Sequence, residues 1–256
     1  MFGFSHKHLA ITLIALVSQT AQSQSDMVWY KPAAFPESFK INRDSCMQQN
    51  NNKDGYQSCM NRAGWTLVER SKLDAARKEC RDSYPPMQNN PKNADAYFGC
   101  LRDKGWEEES KVSTEIRRLN IQSDEICVKP EYAEIIKNIP CRVREINLEH
   151  LSNSSRVVAE NKQIYLQFFK EFEDNRALTN QTMRNGSMAN KKMYEYRTTV
   201  SDAKVDDNRI NLITGKITFG EYSKKRKELE GEFQQMVNKI NEEVKEFINT
   251  PPPKRQ

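Results

Sequence analysis

The sequence predicts an all-α protein, with disulfide-stapled helical hairpins followed by a long antiparallel helical hairpin, and three observations carry that prediction. All six cysteines lie at or before residue 141. A ten-residue segment with a central cysteine and a Gly-Trp end occurs twice, at a period of 41 residues. From Val157 onward, apolar residues recur at steps near three and four, the period of an α-helix. A chain of 256 residues with 37% hydrophobic and 29% charged residues and a mean hydropathy of −0.85 suits one or two small water-soluble domains with a modest core.

The first 23 residues read as a cleaved secretory signal. Lys7 stands between two histidines, the apolar run Leu9 to Val17 follows, and Ala21-Gln22-Ser23 places small residues where a signal peptidase reads. A run of nine residues is too short to span a bilayer. No cysteine adjoins the cleavage point, so a lipid anchor is not expected, and the mature chain is read as periplasmic or secreted with no transmembrane segment. Residues 24–150 carry 20 basic and 20 acidic side chains, and residues 151–256 carry 19 and 15. That excess is too mild for dedicated nucleic-acid binding.

Residues 24–148 form the expected stapled region. An even number of cysteines in an exported chain argues for three disulfides, and six cysteines allow fifteen pairings. The sequential scheme, Cys46–Cys59, Cys80–Cys100 and Cys127–Cys141, is preferred because each pair brackets a turn-rich stretch: Asn50 to Gly55, Pro85 to Pro91, and Pro130 to Pro140. Zinc is the competing reading, but there is no CxxC pair and histidine is nearly absent, so no metal or other cofactor is expected.

Within this region Tyr56-Gln-Ser-Cys59-Met60-Asn-Arg-Ala-Gly64-Trp65 aligns with Tyr97-Phe-Gly-Cys100-Leu101-Arg-Asp-Lys-Gly105-Trp106. The physical content is a helix and its stop. Gly64 or Gly105 supplies the left-handed residue past the helix end, and Trp65 or Trp106 folds back onto Met60 or Leu101 as a lid. An exposed pair of tryptophans forming a carbohydrate or peptide platform is the functional alternative. The repeated Tyr-x-x-Cys-Met/Leu-x-x-x-Gly-Trp unit resembles a motif of small bacterial envelope proteins and lipoproteins. The resemblance covers residues 46–106 and implies a bacterial envelope setting without an activity. The lipidated cysteine of the lipoprotein members is missing here.

Residues 149–249 form the expected hairpin. Val157, Ile164, Phe168, Phe172, Leu178, Thr182, Ala189, Met193, Tyr196, Val200 and Ala203 mark its first arm, as one long helix or two joined near Asn185-Gly186. Gly215 ends that arm. Thr218 and Glu221 form a capping box, with Ile217 and Tyr222 as its hydrophobic staple. Phe233, Val237, Ile240, Val244 and Phe247 step by 4, 3, 4 and 3 along the second arm, in the manner of a coiled coil. Residues 250–256, with three prolines, make an exposed tail. The stretch from Arg209 to Leu229 resembles a SHOCT module, a short helical segment near the C-termini of many bacterial proteins, which implies self-association or tethering.

No GxSxG, GxGxxG, P-loop or HExxH occurs, and the expected mature chain has one histidine, His150. Ser201-Asp-Ala-Lys204 matches SxxK without companion motifs, and Glu107-Glu108-Glu109 reads as a solvated acidic face. Lys224-Lys225-Arg226-Lys227 is the one basic cluster, a candidate for an anionic surface, with Glu228 and Glu230 placed to pair along the helix. The leading expectation is a non-catalytic envelope protein that binds another protein or a second copy of itself through the helical hairpin. The alternatives are a hydrolase of peptidoglycan or a related polymer, and an anionic-surface binder working through residues 224–227.

Overall fold

A computed structural model describes residues 26–84 and 91–251. The expected signal segment 1–23, the stretch 85–90 and residues 252–256 of the expected tail lie outside the described residues. The fold is all-α, with one short two-stranded ribbon that the helical reading omitted. Contacts divide the described chain into two compact units, residues 115–244 and residues 26–114 with 245–251.

In the N-terminal unit, β1 (Met27–Tyr30) pairs antiparallel with β2 (Thr66–Glu69), Val28 opposite Val68 and Trp29 opposite Leu67. Val, Trp, Tyr and Thr fit a pleated, half-buried surface better than a helix. Each strand precedes a fourteen-residue helix, α1 (Pro36–Gln49) or α3 (Arg70–Ser83), which a second helix follows, α2 (Lys53–Arg62) or α4 (Pro91–Asp103). Cys46 and Cys80 occupy the same step, three residues before their helix ends. Disulfides join Cys46 to Cys59 and Cys80 to Cys100, with Cα atoms 5.6 and 5.7 Å apart.

The division between units falls inside α5 (Lys111–Ile126), ahead of the 148/149 boundary expected from sequence. The third bridge, Cys127–Cys141, with Cα atoms 5.9 Å apart, closes a loop that holds α6 (Ala133–Asn138). That loop carries Tyr132, Ile135, Ile139 and Cys141 into the C-terminal core, among Phe168, Phe169 and Phe172 of α8 (Lys162–Arg184). The short α7 (Leu148–Ser152) precedes α8.

The expected first arm is three α-helices rather than one or two. α8 stops at Asn185, and Ser187 caps α9 (Met188–Tyr196) by accepting from the Asn190 N–H. A π-helical turn, Arg197–Ser201, then joins α9 to α10 (Asp202–Ile213). Gly215, at φ +71°, ends α10 with the Lys216 N–H donating to the Asn211 carbonyl at 2.9 Å. Thr218 and Glu221 form the capping box of α11 (Phe219–Asn249): the Thr218 N–H donates to Glu221 Oε2 at 2.7 Å, and the Glu221 N–H to Thr218 Oγ1 at 3.1 Å. A Cβ on Gly220 would lie 2.6 Å from the Leu151 carbonyl oxygen, so this close approach requires glycine. Lys192 with Glu243, Tyr196 with Phe233, and Lys204 with Glu232 run in opposite chain order, so α11 is antiparallel to α9 and α10. Among the described residues, no helix is long and apolar enough to cross a membrane.

Candidate functional site: a buried polar layer in the C-terminal helices

The residues singled out in the sequence fall into two groups, and the structure adds a third. The first serves the fold. The Trp65 N–H donates to the Met60 carbonyl at 3.0 Å and the Gly64 N–H to the Asn61 carbonyl at 2.9 Å, with Gly64 at φ +85°. The same pair of bonds recurs from Trp106 to Leu101 and from Gly105 to Arg102, both at 2.8 Å, with Gly105 at φ +83°. These are Schellman closures. Trp65 packs with Cys46 and Met60, and Trp106 packs beside Leu101 and Cys80. All six cysteines are consumed in the three bridges.

The second group consists of charged runs, and the structure corrects both. Arg226 is 2% exposed and donates to the carbonyls of Pro140 and Cys141 at 2.7 and 3.1 Å, which ties α11 to the third stapled loop. Lys225 pairs with Glu228 at 2.7 Å. Of the basic cluster, Lys224 and Lys227 are exposed and Lys225 is half-buried. The acidic run is likewise not a solvated face: Glu108 pairs with Arg77, and Glu109 is buried and accepts from Thr114 Oγ1 at 3.0 Å. The SxxK pair is also committed, since Ser201 is buried and Lys204 pairs with Glu232 at 2.6 Å.

The third group was not visible in the sequence. α8 begins apolar, burying Tyr165, Phe168, Phe169 and Phe172, and then turns polar, burying Thr179 and Asn180. Across from it the inward positions are Met193, Arg197, Ser201 and Val205, then Asn208, Arg209 and Leu212. Steps of four drift around a regular α-helix by about 40° each. The π turn, with the Asp202 N–H bonded to the Arg197 carbonyl, absorbs that drift and keeps Arg197 and Ser201 on the inner face.

Three arginines and two aspartates meet there. Arg176 Nη2 donates to both carboxylate oxygens of Asp206 at 2.8 Å, and its Nη1 lies 3.6 Å from Asp202 Oδ1. Asn180 Nδ2 donates to Asp202 Oδ2 at 2.8 Å. Arg209 Nη1 donates to Asp206 Oδ1 at 3.4 Å, while its guanidinium sits 5.3 Å over the Phe169 ring. Burial pulls the Arg197 pKa down to about 10; Asp202 opposes that shift and Arg176 adds to it. Both aspartates are engaged with guanidiniums of other turns, so the layer fixes helix register.

Three residues of the expected apolar stripe, Leu178, Val200 and Ala203, face outward, and three more, Ile164, Thr182 and Tyr196, are only half-buried. Leu178 is 48% and Val200 40% exposed. The one signal that pointed to the layer was the run of polar residues at steps of four after Met193. Among the described residues, no group of three or more His, Cys, Asp or Glu side chains is placed to hold a metal ion. Comparison with family models, curated proteins and solved structures returns no match.

Proposed function

We propose that this is an exported, non-catalytic protein of the bacterial envelope that associates with another protein, or with a second copy of itself, through its C-terminal helices. One observation carries the reading: the α9–α10 arm is turned partly inside out. Val200, Ala203 and Ile210 share one face of α10 and its entry, at helical spacing, with Val200 40% and Ile210 53% exposed. On the opposite side Arg197, Ser201, Asn208 and Arg209 are buried. A helix that buries its guanidiniums and presents apolar side chains outward leaves an apolar face for a partner to cover. Three disulfides suit an oxidising compartment, which supports export and agrees with the signal-like residues 1–23. The repeated Cys/Gly-Trp unit and the SHOCT-like stretch support the envelope setting and the tethering role.

The test pairs light scattering of the purified chain with capture from periplasmic extract, using the wild type and a Val200→Glu, Ile210→Glu double variant. The expected result is a dimer or a captured partner that the variant loses while its melting temperature holds. A wild type that stays monomeric and captures the same proteins as the variant overturns the reading.

A further inference from the structure

We propose that the π turn at Arg197–Ser201 is a movable bulge that decides whether Val200 or Ser201 faces the core, and so regulates the apolar face on which the association reading rests. A π turn is an α-helix carrying one surplus residue, and that residue can occupy any turn as long as the flanking helices keep their own registers. Here the flanks are held independently. Ala189 and Met193 bury the α9 side, and Val205, Asn208, Arg209 and Leu212 bury the α10 side. The bulge now ends at Ser201, which leads into the α10 register and is 6% exposed, while Val200 within it is 40% exposed. With the bulge one turn further on, Val200 would continue the α9 register inward from Met193 and Arg197, and Ser201 would turn to solvent. Both arrangements leave α9, and α10 from Val205 onward, in place, and only the first turn of α10 shifts.

Opposing preferences keep the two positions close in free energy. Burial favours valine over serine at the inner site, which pulls the bulge toward the C-terminus. Asp202 pulls the other way, because Asn180 Nδ2 holds it at 2.8 Å and Arg176 faces it at 3.6 Å, which fixes the start of the α10 register. The sequence carries both patterns at once: Met193, Tyr196, Val200 and Ala203 at α-helical steps, and Met193, Arg197, Ser201 and Val205 at steps of four.

A lysine placed at each position of the full chain tests this, with thermal melting of the isolated protein as the readout. Val200→Lys should hold the present register, and Ser201→Lys should move the bulge so that the lysine reaches water. Each single variant is then expected to melt within about 4 °C of the parent, whereas the Val200→Lys, Ser201→Lys double variant must bury one lysine in either register and should melt more than about 10 °C below the sum of the single effects. A Ser201→Lys variant that falls as far as the double variant, or fails to fold, shows a fixed bulge and overturns the proposal. So does a double variant that loses only the sum of the singles. No partner enters the measurement, so it decides the bulge whether or not the association reading stands.

Discussion

Among the described residues, two small clusters within 26–114, Cys46 with Met60 and Trp65 and Cys80 with Ala76 and Leu101, each hold three buried side chains of which one is a disulfide cysteine, whereas a cluster within 115–244 holds thirteen, of which Cys141 alone is one. The larger core joins Tyr132, Phe168, Phe169, Phe172, Leu212 and Tyr222, drawn from stretches far apart in the chain. The comparison teaches that covalent closure stands in for burial where a short segment cannot assemble enough apolar surface. Reduction is the most forceful way to break it. Each bridge closes a loop of 13 to 20 residues, an effect of about 3 kcal/mol, with two bridges in the N-terminal unit and one in the other. After reduction, hydrogen exchange should lose its protection across α1 to α4 and keep it across α8 and α10. Simultaneous loss in both units would mean that the C-terminal core depends on its staple as much as the small cores do.

The two Gly-Trp closures sharpen the comparison within the N-terminal unit. Their backbone bonds match, but their surroundings do not. Trp65 is 5% exposed, meets Phe39 edge-on at 5.2 Å, and has Lys31 Nζ 5.9 Å above its ring. The same lysine donates to the Ala63 carbonyl at 2.8 Å, which satisfies the α2 end. Trp106 is only half-buried, edge-on to Tyr30 at 5.1 Å, and a Cβ on Gly105 would meet nothing within 4 Å. Equal lids were expected from equal sequences, yet Trp65→Ala should destabilise by about 3 kcal/mol and Trp106→Ala by about half as much, because part of the second ring is already wet. Urea melts of the two variants decide this, and equal losses would show that the rings are equally covered in solution.

What was legible in the sequence was local. The Schellman closures, the Thr218/Glu221 box and the stop at Gly215 each involve residues within one or two turns, so spacing alone specifies them. The nearest-neighbour disulfides share that locality. Arg226 was misread because its acceptors, the carbonyls of Pro140 and Cys141, lie more than 80 residues away and leave no mark on the KKRK run. The polar layer was missed for a related reason. A stripe of Val200 and Ala203 looks like a core face until Asp202 and Arg176, on different helices, fix the register that turns it outward. Chain pairing of this kind decides burial, and hydrophobic period alone does not. The strands escaped notice because Met27–Tyr30 and Thr66–Glu69 are each four residues long and stable only as a pair.

The smallest predicted effect concerns two carboxyls, one in each unit, whose pKa values move in opposite directions. Burial alone would raise the Asp44 carboxyl, but hydrogen bonds from Lys40 and Arg43 outweigh it and hold the group below the usual range. Burial raises Glu230 above the usual range, by more than the neighbouring Arg226 lowers it. The signs follow from proton binding. Folded Asp44 binds its proton less readily than the unfolded chain does, so its contribution is complete above about pH 4 and fades as the pH falls through the lowered folded value. Folded Glu230 binds its proton more readily, so its contribution is complete below about pH 4 and fades as the pH rises toward the raised folded value. Melting curves across this acid range should therefore show Asp44→Asn flattening the low-pH loss of stability and Glu230→Gln flattening the loss on the high-pH side. A Glu230→Gln variant with the parent's slope above pH 4 would mean that Arg226 keeps the carboxylate charged, and that the C-terminal unit tolerates its buried charges as pairs.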